Sequence, residues 1–159
     1  MARDKAFREA ERKIAAALSE GATELDLENM GLTELPKSVG KLVRLKVLKL
    51  GYSFGKDGEK NKITTLPKEL RNLTQLQWLY LHDNQLTTLP KELGNLTRLQ
   101  ELSLEGNQLQ PELAAVYKQG LSALKAYLQE QSQEQILLNE AKMVLVGEGG
   151  RFVSSEIAA

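Results

Sequence analysis

The sequence predicts an α/β solenoid, a right-handed superhelix of four short parallel strands with a helical cap at each end. Three observations predict it. A Leu-x-Leu unit occurs four times, at Leu25-Asp26-Leu27, Leu48-Lys49-Leu50, Leu79-Tyr80-Leu81 and Leu102-Ser103-Leu104. The first leucines are spaced by 23, 31 and 23 residues, and the long interval is one period plus an eight-residue insert, Ser53 to Lys60. Both flanks carry the spacing of amphipathic helices instead.

Each element follows from a physical role. In the third unit, Leu76-x-x-Leu79-x-Leu81-x-x-Asn84-x-Leu86-x-x-Leu89-Pro90, alternation through Leu79 and Leu81 makes a strand whose leucines point inward. Trp78, Tyr80 and His82 then point outward. Asn61, Asn84 and Asn107 follow the strands in register; an amide there can bond backbone groups of neighbouring coils that would otherwise be buried unpaired. Leu-Pro recurs at Leu35-Pro36, Leu66-Pro67 and Leu89-Pro90, and the fixed φ favours an extended or irregular convex segment over a long helix. One unit cannot bury its leucines alone, so stacked coils must share a core. Met30 stands where the first unit should have asparagine, and Leu113 where the fourth should have proline, as expected of units that meet a cap. The four units together resemble the leucine-rich-repeat signature.

Residues 1–21 form the N-terminal cap. Phe7, Ala10, Ile14, Ala17 and Leu18 recur at helical spacing, and Gly21 is placed to end the helix. The other face is mixed in charge, which favours a structural cap over a membrane-surface helix. The repeats occupy 22–110. Residues 111–142 form the C-terminal cap and linker: Pro111 and Glu112 open a first helical turn, Gly120 punctuates, and Leu121, Leu124, Tyr127 and Leu128 face the last repeat. The run Gln129 to Gln135, rich in Gln and Glu, is expected to project into water.

Composition removes several function classes. The 159 residues carry 21 basic and 21 acidic side chains and no cysteine. No global field draws the chain to nucleic acid or an anionic membrane. Disulfides, thiolate nucleophiles and cysteine-based zinc sites are excluded. With no apolar run of bilayer length and no signal-like start, a cytoplasmic protein is the expectation.

The outward positions form columns across the strands: Glu24, Val47, Trp78, Glu101; then Asp26, Lys49, Tyr80, Ser103; then Glu28, Gly51, His82, Glu105; then Asn29, Tyr52, Asp83, Gly106. The flanking strands are acidic and the centre is aromatic. A concave strand face is the usual binding surface of a solenoid, so Trp78, Tyr80, His82, Tyr52, Lys49, Glu101 and Ser103 are the candidate partner-binding residues. Trp and Tyr are enriched at binding hot spots; the alternative is cross-strand packing that stiffens the sheet. The insert beside Tyr52, with two glycines and mixed charge, reads either as a specificity loop or as a mobile one. Its Lys56-Asp57-Gly58-Glu59 lacks the acidic spacing of a calcium loop, and neither metal nor cofactor is expected. His82 with Asp83 and Ser103 offers a hydrolytic triad on paper, but an open sheet supplies neither an oriented acid nor an oxyanion hole. A protein partner is the leading expectation, catalysis a remote one.

The C-terminal segment Asn139-Glu140-Ala141-Lys142-Met143-Val144-Leu145-Val146-Gly147-Glu148-Gly149-Gly150 has a charged lead, an apolar strand and the first glycines of a phosphate loop. Repeats leading through a short helix into such a segment resemble the Roco family of multidomain Ras-like GTPases, especially bacterial members. The resemblance implies a repeat domain cut from, or diverged from, such a protein, with a regulatory or dimerising role in signal transduction. The phosphate loop is incomplete: after Gly147, Gly149 and Gly150, Phe152 and Val153 stand where glycine and lysine are needed, and only Ser154 fits. GTPase activity is therefore not expected, and Arg151 to Ala159 matches nothing in the family. Met143 to Val146, a strand without a sheet, extends the preceding helix, packs on the solenoid, or pairs with a second copy. A monomer is the expectation, with a dimer through this segment as the alternative.

Overall fold

A computed structural model describes residues 2–133. The N-terminal helix α1 (Ala2–Glu20) precedes four three-residue strands: β1 (Glu24–Asp26), β2 (Val47–Lys49), β3 (Trp78–Tyr80) and β4 (Glu101–Ser103). A short helix α2 (Pro111–Gln119) and a further helical run over 121–133 follow. The strands make one parallel sheet in the order β1-β2-β3-β4. The register aligns Leu25, Leu48, Leu79 and Leu102, all buried. Residues on either side of each leucine face outward in the predicted columns.

The core is a leucine stack running the length of the solenoid, from Leu25 and Leu27 through Leu48, Leu50, Leu79 and Leu81 to Leu102 and Leu104. Each side chain is worth about 1.5–3 kcal/mol when buried, and it is buried because a neighbouring coil or an end helix lies on each side. The convex segments are more regular than the sequence suggests. Each Leu-Pro opens a one-turn-plus 3-10 helix, over Lys37–Lys41, Lys68–Asn72 and Lys91–Asn95. Proline supplies the fixed φ at the entry, and the next coil follows too soon for a longer helix.

Both ends are closed by helices. Ala10, Ile14 and Ala17 of α1 are buried in the core, and Gly21 ends the helix at φ +64° while the Ala22 N–H bonds the Ala17 carbonyl. Leu18, expected on the buried face, is 47% exposed. One helical stripe reaches the first coil, and Leu18 lies beyond its edge. At the other end Leu113, Leu124 and Leu128 are buried, with Leu121 and Tyr127 packed beside them. Gln129 is exposed, as expected, and its amide also donates to the Gly94 carbonyl at 2.8 Å. Gly94 permits that approach, because a Cβ there would meet the Gln129 nitrogen and Leu128 Cβ at 3.0 Å. Gln135 and the segment 139–150 lie outside the described residues.

Candidate functional site

The strand face is built on an asparagine ladder that the repeat imposes. Asn61 donates to the Leu27 and Leu50 carbonyls at 2.9 and 3.0 Å and accepts from the Met30 and Leu32 N–H groups. Asn84 donates to Leu50 and Leu81 and accepts from Ile63; Asn107 donates to Leu81 and Leu104 and accepts from Leu86. Every amide therefore joins successive coils, and the outward side chains sit on a backbone whose buried polar groups are paired.

Trp78 and Tyr80 are half-buried on the face of β3, and Glu101 is exposed beside Trp78 on β4. Lys49 pairs with Glu24 at 2.9 Å. The hydrogen bond and charge of Glu24 raise the Lys49 ammonium above the usual lysine value. His82 lies over Gly51, where any Cβ would collide with the imidazole; Gly51 is thus buried, not an open outward position. His82 Nε2 faces the Tyr52 carbonyl at 3.1 Å, so that nitrogen carries the proton, and Nδ1 meets the Ser103 hydroxyl at 3.0 Å. His82, Ser103 and the Tyr52 backbone thus cross-link three successive coils, while Trp78, Tyr80, the Tyr52 ring and Glu101 line the surface.

That geometry decides the triad question. Ser103 does meet His82, but the far ring nitrogen is held by a carbonyl, and Asp83 turns to Lys60 at 3.7 Å. Among the described residues neither ring nitrogen meets a carboxylate, the contact that triad chemistry requires.

The insert is folded back on the face. Asn29, assigned above to an outward column, is buried at φ +55°. Its amide donates to the Ser53 and Lys56 carbonyls and accepts from the Ser53 N–H at 3.0 Å, which turns the side chain inward. Gly58 presses on the Asn29 carbonyl, and the Gly31 N–H bonds the Glu59 carbonyl at 2.9 Å. Lys56 reaches Asp26 at 2.8 Å and Glu28 at 3.6 Å. Burial alone would raise the Asp26 carboxyl; the Lys56 ammonium and the Glu28 N–H overcome it and hold Asp26 below the usual aspartate value. Lys60 lies 5.9 Å from the centre of the Tyr52 ring.

Two residues of the face escaped sequence reasoning as candidates. Phe54, in the insert, is 93% exposed and meets Tyr52 edge-on at 6.5 Å between ring centres. An aromatic inside a glycine-bearing insert was the signal available. Glu105 accepts the Tyr117 hydroxyl of α2 at 2.7 Å, a bond that lowers its pKa; nothing in the repeat pattern points from α2 to that strand.

Among the described residues no helix is long and apolar enough to cross a membrane, and no three His, Asp or Glu side chains cluster as metal ligands. Among curated proteins nothing matches the chain. Of solved structures, a leucine-rich-repeat protein of Leptospira interrogans is 37% identical with a TM-score of 0.50, over 62% of this chain and 23% of that one. An internalin of Listeria monocytogenes is 25% identical with a TM-score of 0.49, over 67% of this chain and 32% of that one. The chain spans 23% and 32% of the length of these two proteins. The leucine-rich repeat region family matches residues 24–137, most of the chain and all four strands. Such regions are generally protein-interaction modules rather than enzymes, and this chain belongs to that family.

Proposed function

We propose that the chain binds a protein partner on its strand face, with Trp78, Tyr80, the Tyr52 ring and Glu101 as the contacting side chains. The observation that supports this most is the placement of the only tryptophan, with Tyr80 beside it, half-buried on a sheet face whose cross-strand links are made by other residues. Cross-strand stiffening already comes from His82, Ser103 and the Lys49–Glu24 pair. Tyr80 meets His82 edge-on at 6.5 Å between ring centres, and large aromatics at the centre of a face are what partner surfaces use as anchors. Trp78→Ala with Tyr80→Ala is expected to abolish capture of a peptide ligand selected against the native chain, while the thermal transition shifts by less than about 4 °C. Loss of the folded state would show instead that the pair is packing.

The second reading is a regulatory or dimerising segment of a Roco-type GTPase in signal transduction. The segment Asn139 to Gly150 favours it, and that segment lies outside the described residues. Reading the native gene beyond Gly150 tests it: Val-Gly-Lys-Thr or its like supports the reading, and Arg151 as the native residue removes it.

A further inference from the structure

The six carboxylates around the strand face are not equivalent. Glu24 is paired with Lys49, Asp26 and Glu28 with Lys56, and Asp83 with Lys60. Three lysines thereby answer four acids on the β1 side and at the centre, and two of those lysines come from the insert. Glu101 and Glu105, at the β4 side, form no ion pair with a Lys or Arg among the described residues; Glu105 accepts the Tyr117 hydroxyl and feels the nearby His82 ring only as a lesser influence. The face has ion-paired carboxylates at one side, aromatic rings in the middle and carboxylates without a Lys or Arg at the other.

Its size limits the occupant. The strands with the outward residues that follow them, about six positions at about 3.3 Å each and spaced by about 4.8 Å between units, make a patch of roughly 20 by 15–20 Å, or a few hundred Å². A stable interface between folded proteins takes about 800 Å² per partner. A single extended segment of four to six residues, at about 3.3–3.6 Å each, spans the patch.

We propose that the strand face receives one extended peptide segment, which sets an apolar or aromatic side chain against Phe54, Tyr52 and Tyr80 and a Lys or Arg against Glu101 and Glu105. The proposal rests on the strand face being the binding surface and adds the chemistry and direction of the partner. Phe54 is the residue that gains most, since its ring stands almost wholly in water and its burial removes that exposure. The insert has a second effect: by occupying Asp26, Glu28 and Asp83 it removes the acids that would let a basic segment bind in the opposite direction. With β3 and β4 about 4.8 Å apart, the basic residue lies one or two positions from the apolar one.

A random-peptide display selection against the full chain tests this, run in parallel on wild type, Glu101→Lys with Glu105→Lys, and Trp78→Ala with Tyr80→Ala. Wild type is expected to enrich sequences with Arg or Lys one or two positions from an apolar residue. The charge-reversed variant is expected to enrich acidic residues there. A synthetic wild-type binder should lose about tenfold in affinity to Phe54→Ala. It should lose most of its salt dependence with Glu101→Gln and Glu105→Gln, substitutions that keep the shape of both side chains. Binders that need Trp78 and Tyr80 but show no basic preference would overturn the proposal and leave the binding face standing. Failure to enrich any peptide dependent on Trp78 and Tyr80 would overturn both.

Discussion

Asn84 is 4% exposed, with its amide shared between the Leu50 and Leu81 carbonyls and its oxygen taking the Ile63 N–H. Truncation removes one side chain and orphans backbone groups in more than one coil. Each buried unpaired group costs about 1–3 kcal/mol, so Asn84→Ala is expected to lower the free energy of unfolding by about 3 kcal/mol, read from the urea midpoint at constant slope. A loss under about 0.5 kcal/mol, the size of a surface substitution, would mean that water replaces the amide. These ladder positions were legible because their spacing repeats and because an amide both donates and accepts. Asn29 was not. It stands one position before the register site, in a unit where Met30 fills that site, and its partners lie in an insert with no counterpart in the other coils.

The insert is the element with the widest gap between sequence and structure. Its composition, two glycines and mixed charge, is that of a mobile loop, yet part-buried bonds to Asn29 anchor it and ion pairs of Lys56 and Lys60 fasten its outer side. Exposed ion pairs are worth at most about 1 kcal/mol each, so Asn29 is the anchor and the lysines set the position over the face. Sequence shows charge and length but not which strand a loop returns to. The same limit hid the Tyr117–Glu105 bond and the docking of Gln129 on Gly94. Acid should loosen the outer fastening. Asp26 has its carboxyl pKa depressed in the folded state, so its contribution is present above the unfolded value of about 3.9 and is lost as pH falls through the lower folded value. Amide exchange at Gly55 to Gly58 is expected to quicken, relative to the β3 amides, below about pH 4. In Asp26→Asn the acceleration should already be present at neutral pH, with little further change on acidification. An insert whose protection relative to β3 stays constant across that range in the native chain would contradict the assignment.

At the scale of the whole molecule, the period carried most of the architecture. Four leucine pairs in register placed the strands, their order and their outward columns, because a repeat that cannot bury itself alone has one way to stack. The caps were legible from helical spacing, less so their edges, where Leu18 lies half in water. The residues of the strand face were legible as a set of outward positions and not as a division of labour. Only the folded structure separates His82, Ser103 and Lys49, which link neighbouring coils, from Trp78, Tyr80 and Glu101, which face outward. With a single tryptophan in the chain, the emission of Trp78 reports on the proposed surface without a label. The most direct measurement is therefore a titration of the native chain with a selected peptide, following Trp78 emission and its quenching by iodide, with calorimetry fixing the stoichiometry. Occupancy of the strand face predicts a blue shift and reduced quenching that saturate at one peptide per chain. Saturable binding in the calorimeter with unchanged Trp78 emission and quenching would place the partner elsewhere and contradict the account.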